Sequence, residues 1–304
     1  MTVITEEIKK EETGEKEILP LTNDAVFRMY FASEQNIEQL RLFLKAMLPD
    51  LTEEDLVDIQ IKSEKLTKAD VTNKDFILDL RLVDAAGHYI NVEMQMKGHP
   101  YFIERAVSYN ARNLSGQLKA GDDYTKIKAS ISLIVTSFRL FEDAENYYEY
   151  VTYRRDNGQV FTDVQQYHII DLTKLPEALT EDHHVWGALF KAKTDEELRK
   201  IMSVSEEMKQ AGEKLRKLSE DELAREYARA REESEWAYHL TMTGYKEMGL
   251  AEGLKEGRKE GANEKAMEMA QRSIKAGIEI DLIVELTGLT EQEIEGLKED
   301  LIVT

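Results

Sequence analysis

The sequence predicts a mixed α/β domain, with a central sheet flanked by helices, followed by an all-helical C-terminal region. Two runs in the middle of the chain, 76–82 and 90–96, alternate apolar residues with other residues, which is typical of strands with one buried face. Segments with helical spacing precede and follow these runs, and after Pro176 the chain contains neither proline nor a strand pattern. With 304 residues, 42% of them hydrophobic, the chain is long enough to bury a sizeable core.

The N-terminal part predicts an acidic tail and two helices. Residues 1–20 hold six glutamates and few apolar residues, so we expect a flexible, solvated segment. Thr22 or Asn23 is suited to cap a helix that starts at Asp24. Apolar residues recur at helical spacing up to residue 47, and Pro49 ends the second helix.

The two alternating runs predict a β-hairpin. The segment Asp84-Ala85-Ala86-Gly87 separates them and fits a type I turn followed by a left-handed glycine. Such a turn pairs Asp84 with His88, so that paired residue numbers sum to 172. Asp79 then lies directly opposite Glu93.

The rest of the α/β core contains a helix and three strands. A helix is predicted over 101–120, with Ala106, Val107, Ala111, Leu114 and Leu118 as its apolar face and Gly121 as its end. Strands follow at 131–138, 149–154 and 164–172, the last two joined by the turn Asn157-Gly158. We therefore expect the α/β core to span residues 21–175.

The C-terminal region divides into a charged helical part, 176–262, and a terminal helical hairpin, 263–304. Glycines recur every four residues from Gly249 to Gly261, which favours either a flexible linker or a helix with a bare stripe for a partner helix. Gly277 and Gly288 are expected to end helices, and Thr290 to cap the last one. Because that last helix begins with acidic residues, it is unsuited to reading DNA, and we expect self-packing or protein contacts.

Composition excludes several classes of protein. The net charge of −20 disfavours binding of nucleic acid or membranes through bulk charge, but not through a local basic groove. The absence of cysteine excludes disulfide scaffolds and thiol nucleophiles. No apolar run resembles a signal peptide or a membrane helix, so we expect a soluble, cytoplasmic protein without membrane contacts.

One face of the predicted hairpin carries residues suited to metal chemistry. Asp79 and Glu93 lie opposite each other and would repel unless a positive group lies between them, and Gln95 shares their face. A divalent cation such as Mg²⁺ would satisfy two carboxylates, or Arg81 could neutralise them instead. An ordinary solvated polar face is the alternative interpretation.

A basic segment follows this hairpin. Between Lys97 and Arg139 there are seven Lys/Arg and three acidic residues, a local net charge of +4. The residues that the predicted helix carries away from its apolar face are Arg105, Tyr109, Arg112 and Lys119. Beside a metal site, such residues suit phosphodiester cleavage, because they would position phosphate while the metal activates water. An ordinary solvated helix face is again the alternative.

With these motifs together, the sequence resembles the Rpn family of recombination-promoting nucleases and transposases, within the PD-(D/E)XK nuclease superfamily. The resemblance rests on NDAVFRMYF at 23–31, FILDLRLVDAAGHYINVEMQM at 76–96 and YFIERAVSYNARNLSGQLKAGDDYTKIKASISLIV at 101–135. The segments GLAEGLKEGRKEG at 249–261 and LIVELTGLTEQEIEGL at 282–297 resemble the family's tail. The resemblance implies a PD-(D/E)XK-type sheet and a tail that associates with another copy.

The resemblance also implies the roles of individual residues. Asp79, Glu93 and the backbone carbonyl of Met94 would hold Mg²⁺, with Mn²⁺ or Ca²⁺ as substitutes, and Gln95 takes the place of the superfamily's usual lysine. Asp24 matches the upstream acidic position, and Arg105 and Tyr109 match the helix that lines the site.

We therefore expect a Mg²⁺-dependent DNA endonuclease that self-associates through its C-terminal helices, in a recombination, mobile-element or phage-defence context. The alternatives are a non-catalytic DNA-binding or assembly protein on a nuclease-like fold, and an interaction module that uses its acidic helices.

Overall fold

The computed structural model describes residues 17–62, 80–98, 101–142 and 146–303. The chain divides into two compact units, 1–236 and 237–304, and each is described by itself. The strands are β1 Gln60–Ile61, β2 Leu80–Val83, β3 Tyr89–Gln95, β4 Ser130–Thr136, β5 Tyr148–Arg154 and β6 Val160–Asp171. The helices are α1 Asp24–Phe31, α2 Ile37–Met47, α3 Phe102–Ser115, α4 Asp182–Lys191, α5 Asp195–Met202, α6 Glu206–Glu220, α7 Glu222–Lys275, α8 Ile280–Thr287 and α9 Glu291–Val303.

Within the described residues, six strands form one mixed sheet in the order β1-β2-β3-β4-β6-β5. Strand β3 pairs antiparallel with β2 and parallel with β4, so it lies in the interior of the sheet. The mixed α/β fold with a helical C-terminal region is thereby confirmed. Strand β1, only two residues long, was not predicted because so short a pairing leaves no period in the sequence.

The predicted hairpin turn and its register are confirmed for the described residues. Gly87 has a φ of 89°, and its N–H donates to the carbonyl of Asp84 at 3.1 Å. Leu80 pairs with Val92 and Val83 with Tyr89, and both pairs sum to 172 as predicted. Residues 63–79 lie outside the described residues, so the predicted position of Asp79 is not part of this description.

Helix α3 differs from the prediction in its length and its buried face. It ends at Ser115, with Gly116 as the cap, so Leu118 and Lys119 lie beyond it. Its buried residues are Phe102, Ala106 and Asn110, whereas Val107 and Ala111 are exposed. The prediction failed because a polar residue, Asn110, occupies a buried position of the helix.

Asn110 anchors helix α3 on the sheet. Its Nδ2 donates to the carbonyl of Ser130 and to Oγ of Ser132, both at 3.0 Å, and its Oδ1 accepts from Nε2 of Gln165 at 3.3 Å. Such a satisfied buried network fixes one orientation of the helix, because an apolar side chain could not replace its hydrogen bonds. Arg105 lies on the same helix, five residues before Asn110.

The main core of the first unit lies on the other face of the sheet. Helix α1 starts as predicted, with Oδ1 of Asn23 accepting from the N–H groups of Ala25 and Val26 at 3.1 and 3.3 Å. Its aromatic residues pack together with apolar residues of α2, α4 and the sheet, including Phe27, Phe31, Phe43, Trp186 and Phe190. Most of the predicted tail lies outside the described residues, but Ile18 is buried in this core and its N–H donates to the carbonyl of Lys193. The chain is therefore already packed before residue 20.

The C-terminal region is helical, as predicted. Helix α7 includes the glycine repeat without a break, which excludes a non-helical linker there. The second unit has a small core of its own, formed by Ala270, Ile283, Leu289 and Ile294. Gly277 and Gly288 have φ values of 74° and 69° and end helices as predicted, and Thr290 and Glu293 form a cap at the start of α9. None of the described helices is both long and apolar enough to cross a membrane.

Candidate active site

The candidate site is the face of strand β3 that carries Asn91, Glu93 and Gln95. Alternate residues of a strand share a face, so these three side chains lie on the opposite side from the apolar residues Ile90, Val92 and Met94. Helix α3 packs against this face, where Phe102 and Ala106 contact Ile134 and Ile169 of the neighbouring strands. The sheet therefore presents Glu93 beneath a helix and not to open solvent.

Glu93 is a buried acid. Only 2% of the residue is exposed, and Asn91 beside it is 3% exposed. A carboxylate at such a position requires hydrogen bonds or a cation, because an uncompensated buried charge is strongly unfavourable. The alternative of an ordinary solvated face is therefore wrong for these two residues.

Side-chain amides on both sides contact the Glu93 carboxylate. Nδ2 of Asn91 donates to Oε1 at 2.9 Å, and Nε2 of Gln95 donates to Oε2 at 3.5 Å. Nη2 of Arg105 donates to Oε1 of Gln95 at 3.5 Å. Gln95 thus lies between a cation and a carboxylate with its amide oriented to suit both, although both of its contacts are long.

Arg105 reaches the site from helix α3. Its guanidinium carbon lies 5.4 Å from the centre of the Phe102 ring, which supports the flat face of the guanidinium. Its Nε–H group is buried and donates to no acceptor in the described part of the chain. The arginine therefore retains hydrogen-bonding capacity for an anionic group.

The remaining predicted phosphate contacts divide into two sets. Arg105, Tyr109 and Arg112 lie at intervals of four and three residues on α3, so they follow one side of the helix. Tyr109 is half-buried and Arg112 is exposed. Lys119 was predicted on this helix but lies in the following loop, where its backbone N–H donates to Asp122.

Asp24 has partners of its own. Arg231 of helix α7 binds its carboxylate through Nε at 2.9 and 3.0 Å and through Nη2 at 2.8 Å, and the same Nη2 lies 2.8 Å from Oε1 of Glu235. Burial raises the pKa of Asp24, against the opposing effect of Arg231. The described contacts therefore place Asp24 in an ion-pair cluster with α7, and none of them joins it to Glu93.

Sequence reasoning gave no role to Asn91, Arg231 and Glu235. Asn91 was recognisable, because a polar residue stands there in the middle of a strand with apolar neighbours on its other face. The pairing of Asp24 with Arg231, 207 residues apart, leaves no signal in a single sequence.

The residues of the site suit a hard divalent cation. Among the described residues, no group of three histidine or acidic side chains forms a metal site, so any site at Glu93 would need a further ligand such as Asp79, which is not among them. The available donors are all oxygen atoms, which Mg²⁺, Mn²⁺ and Ca²⁺ prefer. Oδ1 of Asn91, next to Glu93, is buried and accepts no hydrogen bond from the described residues. An unsatisfied buried oxygen at this position fits a hydrated cation.

A separate cavity of about 490 Å³ lies at the opposite end of the parallel strands. It is lined by His88, Lys128, Tyr150, Gln166 and His168, among others. It contains none of the residues predicted for the nuclease site.

Comparison with known proteins identifies a family. A family model described as PD-(D/E)XK nuclease family transposase matches residues 21–243, well over half of the chain. Neither the curated proteins nor the solved structures include a match. The matched range contains every candidate site residue on α1, β3 and α3, and also Arg231 and Glu235.

Proposed function

We propose that this chain, which belongs to the PD-(D/E)XK nuclease family transposases, is a metal-dependent DNA endonuclease with Glu93 at its centre. The observation that carries this proposal is the buried Glu93 carboxylate, held by Asn91 and linked through Gln95 to Arg105. A structural role alone does not require a carboxylate in the interior of a sheet, where apolar residues are more stable.

The proposed reaction is hydrolysis of a phosphodiester bond. Asp79, Glu93 and the backbone carbonyl of Met94 would hold Mg²⁺, and the bound ion would supply polarisation of the phosphate and a lower pKa for a bound water. Mn²⁺ or Ca²⁺ could occupy the same oxygen ligands. Gln95 cannot serve as a base, because an amide does not take up a proton at neutral pH, so its role is to orient water or donate to phosphate.

Positive charge on helix α3 would bind the substrate. Arg105 is placed to stabilise the charge that develops on the phosphate, and Arg112 extends the same side of the helix towards solvent. Tyr109 lies between them, and Lys119 would add a contact from the loop. We assign the chemistry to residues 21–175 and a recombination, mobile-element or phage-defence context to the protein.

Asp24 takes a supporting role in this proposal. Because Arg231 already binds both of its oxygen atoms, Asp24 would act by fixing α7 against α1 and not as a metal ligand. In this proposal Asp24 positions the helices around the sheet and takes no part in the chemistry.

Cleavage of supercoiled plasmid by the full chain tests the function. We expect cleavage with Mg²⁺ or Mn²⁺ and none in EDTA. Glu93→Gln, which keeps the shape of the side chain, should lower the rate about 100-fold or more, because the metal supplies several kcal/mol of transition-state stabilisation. Asp79→Asn should have the same effect.

Glu104→Gln is the matched control. It makes the same chemical change as Glu93→Gln, but at an exposed position of α3. It should cleave at the wild-type rate. If the folded wild-type protein fails to cleave DNA with every metal tested, the proposal is overturned in favour of a non-catalytic DNA-binding or assembly protein.

A further inference from the structure

Asn91 is the strongest unexplained feature of the site. It lies on interior strand β3, opposite Arg81 on one side and Ser132 on the other, and is 3% exposed. Its Nδ2 donates to Glu93 at 2.9 Å, yet its Oδ1 is buried and accepts no hydrogen bond from the described residues. Buried amide oxygens are nearly always satisfied, so an unsatisfied one requires an explanation.

The orientation of the amide is fixed by charge. Turning the amide by 180° would place its carbonyl oxygen against the Glu93 carboxylate, and two acceptors would face each other. Nδ2 must therefore point at Glu93, which leaves Oδ1 as the free acceptor. Oδ1 is only two covalent bonds from Nδ2, so it lies close to the Glu93 carboxylate, which the proposed function assigns to the metal.

We propose that Asn91 is a positioning residue for the divalent cation: Nδ2 fixes the Glu93 carboxylate, and Oδ1 accepts from a water bound to that cation. This inference rests on the proposed function, since it needs a cation at Glu93. Groups that orient metal ligands and metal-bound water typically change metal affinity by 10- to 100-fold when they are removed. Asn91 supplies the hydrogen bond to the Glu93 carboxylate that the apolar residues next to Glu93 on the strand cannot supply.

Cation binding to the full chain, without substrate, tests this role. Titration with Mn²⁺, followed by the loss of its free electron paramagnetic resonance signal, gives the dissociation constant. Asn91→Ala should raise that constant about tenfold or more. Asn110→Ala is the matched control, because it also removes a buried asparagine, one that lies on α3 and bonds to Ser130 and Ser132 of the sheet but not to Glu93. It should lower the thermal midpoint and leave the dissociation constant within about twofold of wild type.

The failures of the two proposals are distinguishable. If the folded wild-type chain binds no Mn²⁺, the metal-dependent function fails. If the wild type binds Mn²⁺ and Glu93→Gln abolishes binding while Asn91→Ala leaves it unchanged, only the role of Asn91 fails.

Asn91→Asp decides the question if the alanine variant does not fold. It keeps Oδ1 and places a second carboxylate against Glu93, so a bound cation should relieve the repulsion. We expect Mn²⁺ to raise the thermal midpoint of Asn91→Asp more than that of wild type. An equal or smaller rise would overturn the proposal.

Discussion

His168 illustrates how burial fixes the protonation state of a single residue. It is 1% exposed on β6, its Nε2 lies 3.2 Å from Oε1 of Gln166, and its Nδ1 lies 2.5 Å from the hydroxyl of Tyr148. A neutral ring satisfies both contacts, with Nε2–H as donor and Nδ1 as acceptor. Burial lowers the pKa of His168 to about 4, so the folded chain keeps the ring neutral where the unfolded chain would protonate it.

This shift predicts a loss of stability in mild acid. Below the unfolded pKa of 6.5 the unfolded state binds a proton that the folded state does not, so the free energy of unfolding falls as pH decreases towards about 4. Between pH 7 and pH 5 the contribution of His168 is a loss of about 2 kcal/mol. Urea unfolding, followed by tryptophan fluorescence, measures it, because Trp186 and Trp236 both belong to the first unit.

The comparison with His168→Gln isolates this residue. His88 acts in the opposite direction, because its hydrogen bond to Asp84 raises its pKa, and other groups also titrate in this range. Those contributions are shared by both proteins and cancel in the difference. Wild type should lose about 2 kcal/mol more than the variant between pH 7 and pH 5, and parallel profiles would contradict the assignment.

At the scale of elements, two glycines on helices have opposite surroundings. A Cβ at Gly187 of α4 would lie 2.1 Å from the hydroxyl of Tyr147, which donates to the carbonyl of His183, and 2.9 Å from Leu175. A Cβ at Gly253 of α7 would meet no atom of the described residues within 4 Å. Glycine at 187 is therefore required by close packing, whereas glycine at 253 is only a weak helix former.

Alanine substitution should separate these two cases. Gly187→Ala should destabilise the first unit by about 1–3 kcal/mol, since overpacking exceeds the gain in helix propensity. Gly253→Ala should stabilise helix α7 by up to about 1 kcal/mol. Tryptophan fluorescence during unfolding reports the first effect, and the thermal midpoint by circular dichroism reports the second. An unchanged midpoint in Gly187→Ala would show that Tyr147 and Leu175 yield without cost.

The elements differ in how well the sequence predicts them. The cap at Asn23 and the register of the β2–β3 hairpin follow from local chemistry, because a side-chain cap and a turn with a left-handed glycine each need particular residues. The orientation of α3 could not be predicted, because Asn110 is buried only through partners on β4 and β6. Periodicity counts such a residue as exposed.

The candidate site shows the same division. Glu93 and Gln95 were predicted on one face of one strand. Their contact with each other, and that of Gln95 with Arg105, agree with that alternation. The partner of Asp24 is Arg231, which reaches α1 only because α6 and α7 fold back on the first helix, as the bond from Tyr30 to the carbonyl of Ala211 also indicates. No local pattern contains that information.

At the scale of the whole molecule, helix α7 carries exposed apolar residues along part of its length. Leu240, Leu250 and Leu254 are each more than half exposed. Leu250, Leu254, Gly257 and Gly261 follow steps of four, three and four residues, which is the spacing of helices that pack along a seam. A Cβ at either glycine would meet no described atom within 4 Å. We therefore propose a homo-oligomer in which these helices pack against each other.

Light scattering after size-exclusion chromatography tests this assembly with the full chain. Each chain has a mass of 35.0 kDa, and we expect a mass of at least two chains. The double variant Leu250→Glu, Leu254→Glu should be monomeric, because two carboxylates per chain would be buried in the seam. The variant Lys255→Glu adds the same group beside the seam, and its chains should stay associated.

Because each chain carries a net charge of −20, raising the salt concentration should favour association of the wild type. A wild type that stays monomeric at high salt, while still cleaving DNA, would separate the nuclease chemistry from assembly and contradict the role given to the seam.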